Sequence, residues 1–234
     1  MRAMVLAAGL GTRMRPLTDH MPKPLIEVAG RTLLDRALDW LQAGGVAEVV
    51  VNSHYKAEML EAHLAGRSAP KITVSREDVV LETGGGIKKA LPLLGAAPFV
   101  SVNADTICID GKISALARLR EAWDEEAMDA LLLVQPVEKA VGYDEAGDFF
   151  VEADGTVRRR LQAARAPFVF TGVQMIHPRL FAGAPDGPFS MNLLYNRGMG
   201  GDGTLPRIRA LVHDGAWLHV GDPKGLAAAE AYLG

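Results

Sequence analysis

The sequence predicts an α/β protein built on a doubly wound, mostly parallel sheet. Short apolar runs alternate with amphipathic helical patterns through residues 1–136, and those runs are apolar at nearly every position. Strands read that way when helices cover both faces of a parallel sheet. Beyond Pro136 the texture changes to hairpin-like and irregular segments, which predicts a β-rich addition. In such sheets ligands sit at the carboxyl ends of the strands.

Residues 4–7, 49–51, 71–74, 99–102 and 131–134 are the strand runs. Helical spacing falls between them at residues 33–41, where positions 33, 34, 37, 38 and 41 are apolar, and at 57–64, 86–94 and 113–123. Residues 147–157 read as a hairpin turning on Asp154-Gly155. A strand follows at 168–176, then short helices at 178–181 and 190–195. The segment 196–203 carries four glycines and is predicted to be irregular. Residues 217–223 lead from a strand into an alanine-rich closing helix. No internal repeat and no hexapeptide array is visible.

Composition narrows the function classes. The 234 residues are 49% hydrophobic and 23% charged, with a net charge of −3, so neither disorder nor a nucleic-acid or anionic-membrane footprint is expected. A single cysteine, Cys108, excludes an intramolecular disulfide and a four-cysteine zinc site. No apolar run approaches the roughly 20 residues of a bilayer span. The apolar start is too short for a signal-peptide core, so a cytoplasmic protein is expected.

The most informative segment is Leu6-Ala7-Ala8-Gly9-Leu10-Gly11-Thr12-Arg13-Met14-Arg15-Pro16, followed by Pro22-Lys23-Pro24. A strand gives way to small residues, so backbone amides can approach an anion closely. No Gly-Lys-Ser/Thr follows, and Met14 occupies the third glycine position of the dinucleotide fingerprint, so neither of those motifs applies. The loop instead supplies Arg13, Arg15 and Lys23, and prolines on both sides restrain the backbone of Lys23. Fixed cations around bare amides suit a triphosphate whose charge must be offset during reaction.

Residues 3–30 resemble the signature of the sugar-1-phosphate nucleotidylyltransferases, and the resemblance extends over nearly the whole chain. It implies a GT-A-like, Rossmann-like nucleotidyltransferase fold with a small β-rich sugar-binding insertion. One domain, 1–234, is expected, with a nucleotide-binding part at 1–136 and a sugar-binding part and closing helix at 137–234. The implied reaction is attack of a sugar 1-phosphate on the α-phosphorus of a nucleoside triphosphate. By the same resemblance, Leu6, Ala7, Ala8 and Gly9 contact base and ribose, and Gly11, Thr12 and Arg13 hold the β- and γ-phosphates. Lys23 then faces the α-phosphate, which makes Arg13 and Lys23 the catalytic residues. Glu77, Thr83, Gly84 and Asn103 complete the expected nucleotide site.

Asp105 ends an apolar strand, where it reads either as a turn former or, by the resemblance, as a Mg²⁺ ligand. The family's second ligand lies in a Trp-x-Asp-Val-Gly-Thr pattern, but here the run is Trp217-Leu218-His219-Val220-Gly221-Asp222. Imidazole is a poorer Mg²⁺ ligand than carboxylate. His219 as a weak ligand or phosphate contact, Asp222 as the ligand, and Asp105 acting alone with phosphates and water all stay open. Asp222 equally suits the N-cap of the last helix, with Pro223 at its first position.

The run Leu81-Glu82-Thr83-Gly84-Gly85-Gly86 and the segment Gly147-Asp148-Phe149 resemble the N-acetylmuramate-1-phosphate uridylyltransferase branch, whose work is cell-wall recycling. Glu82, Gly147, Asp148, Thr171 and Gly172 are the expected sugar contacts. Trp40, Trp123 and Trp217 read as core, as does Cys108. Expected partners are UTP with N-acetylmuramic acid 1-phosphate, or glucose or mannose 1-phosphate with dTTP, UTP or GTP. A non-catalytic nucleotide-sugar sensor is the alternative of another class. A monomer or small homo-oligomer is expected.

Overall fold

The computed structural model describes residues 1–201 and 206–234. The strands are β1 (Arg2–Leu6), β2 (Glu27–Val28), β3 (Arg31–Thr32), β4 (Glu48–Ser53), β5 (Lys71–Arg76), β6 (Phe99–Asn103), β7 (Thr106–Ile109), β8 (Ala130–Pro136), β9 (Ala140–Val141), β10 (Phe149–Val151), β11 (Val157–Arg159), β12 (Phe168–Ile176), β13 (Ile208–Val212) and β14 (Ala216–His219). The helices are α1 (Leu33–Ala43), α2 (Ala57–Ala65), α3 (Glu82–Leu94), α4 (Ala115–Ala122), α5 (Asn192–Asn196) and α6 (Pro223–Leu233).

The main sheet runs β11-β10-β12-β6-β1-β4-β5, and β8 joins β12 to β13. Its half β6-β1-β4-β5 is parallel throughout, as the apolar runs predict. Every crossover there brings the carboxyl ends of the strands to one edge, at Leu6, Ser53, Arg76 and Asn103. Strand β12 then pairs antiparallel with β6, Val173 opposite Val102, so Phe170 to Gly172 reach past the end of β6 to that same edge. A register shift between Phe170 and Gln174 bends β12 there.

Helices cover both faces. On one, Leu34, Ala37, Leu38 and Leu41 of α1 pack with Val5, Val49, Val51, Val100 and Val102. Those are the positions the helical spacing marks as apolar, and each fully buried leucine contributes about 1.5–3 kcal/mol. Thr32 caps α1 by accepting the Asp35 amide at 3.0 Å. On the other face α3 and α5 pack on Met4, Val50, Phe99 and Leu132.

Three local differences from the sequence reading have physical causes. Helix α3 begins at Glu82, four residues earlier than its apolar spacing starts. Glycine is required in that first turn because a Cβ on Gly84 or Gly85 would lie 2.3 Å from Phe189 or from the Gly187 carbonyl. The helix loses propensity there and gains close contact. Strands β7 and β13 are not read from the sequence, and each exists by pairing, β7 with β14 and β13 with β8. Residues 196–203 read as the most flexible-looking stretch; the chain finishes α5 at Asn196 and turns on through Arg197–Gly201 with a kink at Gly200, which is non-helical at φ 83°, while 202 and 203 lie outside the described residues.

A small sheet, β7-β14-β9, stands beside the main one. His213 ties the two together. Its amide donates to Val134 O at 2.8 Å, and its Nε2 lies 3.1 Å from Ile109 O and 3.2 Å from Ala216 O. Two carbonyl partners place the ring proton on Nε2, which leaves Nδ1 buried without a partner. Burial holds the His213 pKa below the ordinary histidine value, although the nearby carbonyls and Asp214 pull the other way. A depressed folded-state pKa means the unfolded chain takes up the proton first. The contribution of neutral His213 to stability is therefore full above the ordinary histidine range and falls as pH drops through it. The urea midpoint of a His213→Gln variant is predicted to approach that of the wild type as pH is lowered from 7.5 to 5.5. Midpoints that stay equally separated would contradict this.

Candidate active site

The loop after β1 is shaped by one glycine and one methionine. Gly11 sits at φ 63°, a left-handed conformation, and a Cβ there would meet Thr18 Cγ2 at 2.9 Å. The Gly11 carbonyl accepts the Met14 amide at 2.9 Å and the Thr18 hydroxyl at 2.9 Å, closing a tight turn over Thr12–Met14. Met14 is fully buried, in a satellite core with Ile26, Val28, Leu33, Leu218 and Val220. The residue that spoils the dinucleotide fingerprint is thus the anchor that pins the loop. Arg15 instead pairs with exposed Asp19 at 3.3 Å and lines neither cavity described below.

Two cavities open at the carboxyl edge of the sheet. The first, of about 290 Å³, is lined by Leu6, Ala7, Ala8, Gly9, Gly11, Thr12, Arg13, Lys23, Glu77, Thr83 and Asn103 among others. Every residue read as nucleotide-binding is there except Gly84, which is buried against Phe189. The second, of about 310 Å³, is lined by Tyr143, Glu145, Asp148, Phe170, Gly172, Trp217 and His219. Arg13, Asn103 and Asp105 belong to both.

Lys23 and Asp105 form the junction, Nζ to Oδ2 at 2.8 Å. The lysine side chain is 10% exposed and the aspartate 31%. Burial raises the Asp105 pKa, but the ammonium of Lys23, with His219 and Arg13 behind it, outweighs burial and holds the carboxyl below its usual range. Asp105 is therefore an anion at neutral pH.

The sugar-side readings divide. Asp148 and Gly172 line the second cavity, and one Asp148 oxygen accepts the Phe170 amide at 2.9 Å. Glu82 lines the first cavity, with φ 59° unusual for a residue other than glycine. Gly147 and Thr171 line neither: Gly147 turns the chain against the Ala166 carbonyl, and the Thr171 hydroxyl donates to Leu133 O at 2.8 Å inside the bent part of β12. Asp222 is the N-cap of α6, its Oδ1 accepting the Gly225 amide at 2.9 Å. Cys108 packs, half-buried, beside the first core.

Sequence reasoning missed Asn52, Tyr143 and Glu145. Asn52 is buried at the end of β4, where its Oδ1 accepts the Ala7 amide at 2.6 Å and its Nδ2 donates to Glu77 Oε1 at 2.7 Å. Glu77 Oε2 accepts the Leu81 amide at 3.0 Å. This buried relay locks the phosphate loop to the start of α3. A polar pair, Asn52-Ser53, closing an apolar strand was the available signal. Tyr143 stays a neutral phenol, since burial with Asp148 and Glu145 nearby pushes its pKa up to about 12.

A cation-bearing glycine loop whose cavity meets a second one at an ionised carboxylate suits a nucleotidyltransferase. Residues 3–186 match the MobA-like NTP transferase domain, and the chain belongs to that family. An N-acetylmuramate alpha-1-phosphate uridylyltransferase of Caulobacter vibrioides is 48% identical over 236 residues, covering 99% of this chain and 96% of its own. Its counterpart in Neisseria meningitidis serogroup B is 35% identical, covering 100% and 99%. A mannose-1-phosphate guanyltransferase of Neurospora crassa is 28% identical over 96% of this chain and 62% of its own. Among solved structures, HddC from Yersinia pseudotuberculosis complexed with GMP-PN superposes with a TM-score of 0.80 at 22% identity, covering 100% and 99% of the two chains. UDP-glucose pyrophosphorylase complexed with UDP-glucose superposes at 0.78 with 18% identity, covering 99% and 97%. These two show the fold.

Removing the relay tests the site's construction. Asn52→Ala strands the Ala7 amide and one oxygen of Glu77, and is expected to lower unfolding free energy by about 2–4 kcal/mol. Chemical denaturation measures it, and a change below about 0.5 kcal/mol would contradict the relay.

Proposed function

We propose that this chain is a uridylyltransferase of the cytoplasm that joins UTP to N-acetylmuramic acid 1-phosphate, releasing pyrophosphate, in cell-wall recycling. The observation that carries the reading is the meeting of two cavities at Arg13, Asn103 and Asp105, with Lys23 at the junction. The choice of substrates rests on the relatives at 48% and 35% identity.

In this reading the triphosphate lies along the loop of Gly11 to Arg13 and the sugar phosphate enters from the second cavity. An oxygen of the sugar phosphate attacks the α-phosphorus in line. That P–O bond forms as the bond to the oxygen bridging to the β-phosphate breaks, and pyrophosphate leaves with the electron pair. A phosphate monoester is already ionised at neutral pH, so no general base is needed; positioning and charge do the work. Arg13 holds the leaving group. Lys23, released from Asp105 to the α-phosphate, stabilises the charge that builds there.

Asp105 and the substrate phosphates form a hard-oxygen donor set for Mg²⁺, which is commonly held by one or two carboxylates plus phosphates and water. The residues fit such an ion in one respect, that Asp105 is ionised and at the junction; its other ligands would have to be phosphate and water oxygens. When bound, the ion would supply further neutralisation of phosphate charge.

Mannose 1-phosphate with a guanine nucleotide is the second reading, favoured by the relative at 28% identity. Pyrophosphate release is measured with UTP, GTP and dTTP against N-acetylmuramic acid, glucose and mannose 1-phosphates. The fastest release is expected with UTP and N-acetylmuramic acid 1-phosphate; binding without release from any pair would establish a sensor instead. Lys23→Ala and Asp105→Asn are each expected to lower kcat by about 10²–10³-fold. Near-normal rates in either would remove this mechanism.

A further inference from the structure

We infer that His219 is a hydrogen-bonding contact for the phosphate of the sugar 1-phosphate, and that it is not a ligand of the divalent ion. The inference rests on the functional reading above and deepens it at the second cavity.

The backbone places the ring at the junction. In the β7–β14 ladder Thr106 lies opposite His219, and the Val220 amide donates to Asp105 O at 3.1 Å. The ring is then held on three sides. It stacks on Trp217 with centroids 5.6 Å apart and planes 13° apart, and meets Tyr143 edge-on at 5.8 Å. A Cβ on Gly221 would lie 2.4 Å from the ring, so only glycine lets the chain pass it so closely. Trp217 is itself fixed, its indole N–H donating to Thr171 O at 2.8 Å.

A ring packed this closely has little rotational freedom, and its Nδ1–Cε1–Nε2 edge is the one nearest Gly221, whose missing side chain leaves that edge uncovered. Among the described residues no hydrogen bond acts on the His219 ring, whose surroundings are burial and nearby charges, and His219 lines the second cavity together with Arg13 and Asp105. Burial, with the cations of Lys23 and Arg13 behind it, favours the neutral ring, while Asp105 and Glu145 pull the other way. A neutral imidazole carries one N–H donor, which suits a phosphate oxygen. Charge around the cavity argues the same way. Glu145 and Asp148 already face it, and Arg13 is its shared cation. A dianionic phosphate entering past those carboxylates needs a donor that adds no negative charge. Mg²⁺ prefers oxygen ligands, which Asp105 and the phosphates supply.

Three variants of the full chain test this: His219→Ala, His219→Gln and His219→Asp. Initial rates are measured at saturating UTP with N-acetylmuramic acid 1-phosphate varied, then the reverse. Mn²⁺ affinity in the presence of UTP is read from its electron paramagnetic resonance signal. Loss of a hydrogen bond to a charged group is expected to raise KM for the sugar phosphate by about tenfold in His219→Ala, with KM for UTP within about twofold. His219→Gln, which keeps a neutral donor, should recover most of that loss. His219→Asp should raise KM for the sugar phosphate above that of His219→Ala, because it adds a fourth carboxylate to the Asp105, Glu145 and Asp148 that line the cavity. Mn²⁺ affinity should match in wild type and His219→Ala. An unchanged sugar-phosphate KM in His219→Ala, or a Mn²⁺ affinity about tenfold weaker in it, would overturn the assignment. If wild type transfers no uridylyl group, the functional reading fails. The His219 contact is then read by calorimetric titration of N-acetylmuramic acid 1-phosphate, and equal affinities in wild type and His219→Ala would overturn it.

Discussion

The ion pair between Lys23 and Asp105 is the interaction on which the site depends. An ammonium that is only 10% exposed on its side chain would be costly without a counterion, and Asp105 supplies one at 2.8 Å. The pair therefore does two jobs. It lets a mostly buried cation stand at the junction of the two cavities, and it keeps a carboxylate ionised where, in the proposed reaction, two phosphate-bearing substrates meet. In the proposed mechanism a substrate phosphate replaces Asp105 as the partner of Lys23, so the charge passes to the reacting group without being returned to water.

The surrounding scaffold serves to hold that pair. Parallel strands bring Leu6, Ser53 and Asn103 to one edge, and β12 runs back across it to add Phe170 and Gly172. Met14 sinks the phosphate loop into a satellite core that also contains Leu218 and Val220 of the strand leading to Gly221. Loop and second cavity thus share one small core. Asn52 and Glu77 perform the matching task on the far side by tying the Ala7 amide to the turn before α3.

Much of this was legible from residues alone, for reasons that differ by element. Strand β12 over Phe168–Ile176 and the short helical turn over Pro178–Phe181 fall where their patterns predict, because a long apolar run and a proline-led start are local signals. The phosphate loop was legible because glycines, cations and flanking prolines lie together in sequence. What was hidden is what exists only by tertiary contact. Three consecutive glycines argue against helix, yet α3 contains them because Phe189, Gly187 and Glu77 come too close for any side chain. Tyr143 and Glu145 belong to no motif and reach the site because β9 pairs with β14. His219 stood out as a departure; the structure adds its stacking partners and the orientation of Asp222 toward α6.

The account turns on where the triphosphate lies relative to Lys23. The most direct measurement is a crystal structure of the chain with α,β-methylene-UTP and Mg²⁺. In the proposed mechanism Lys23 Nζ has left Asp105 for an α-phosphonate oxygen, with the β- and γ-phosphates on the amides of Gly11 to Arg13. A triphosphate bound away from that loop, or a Lys23 still paired to Asp105 beside a fully ordered nucleotide, would contradict it.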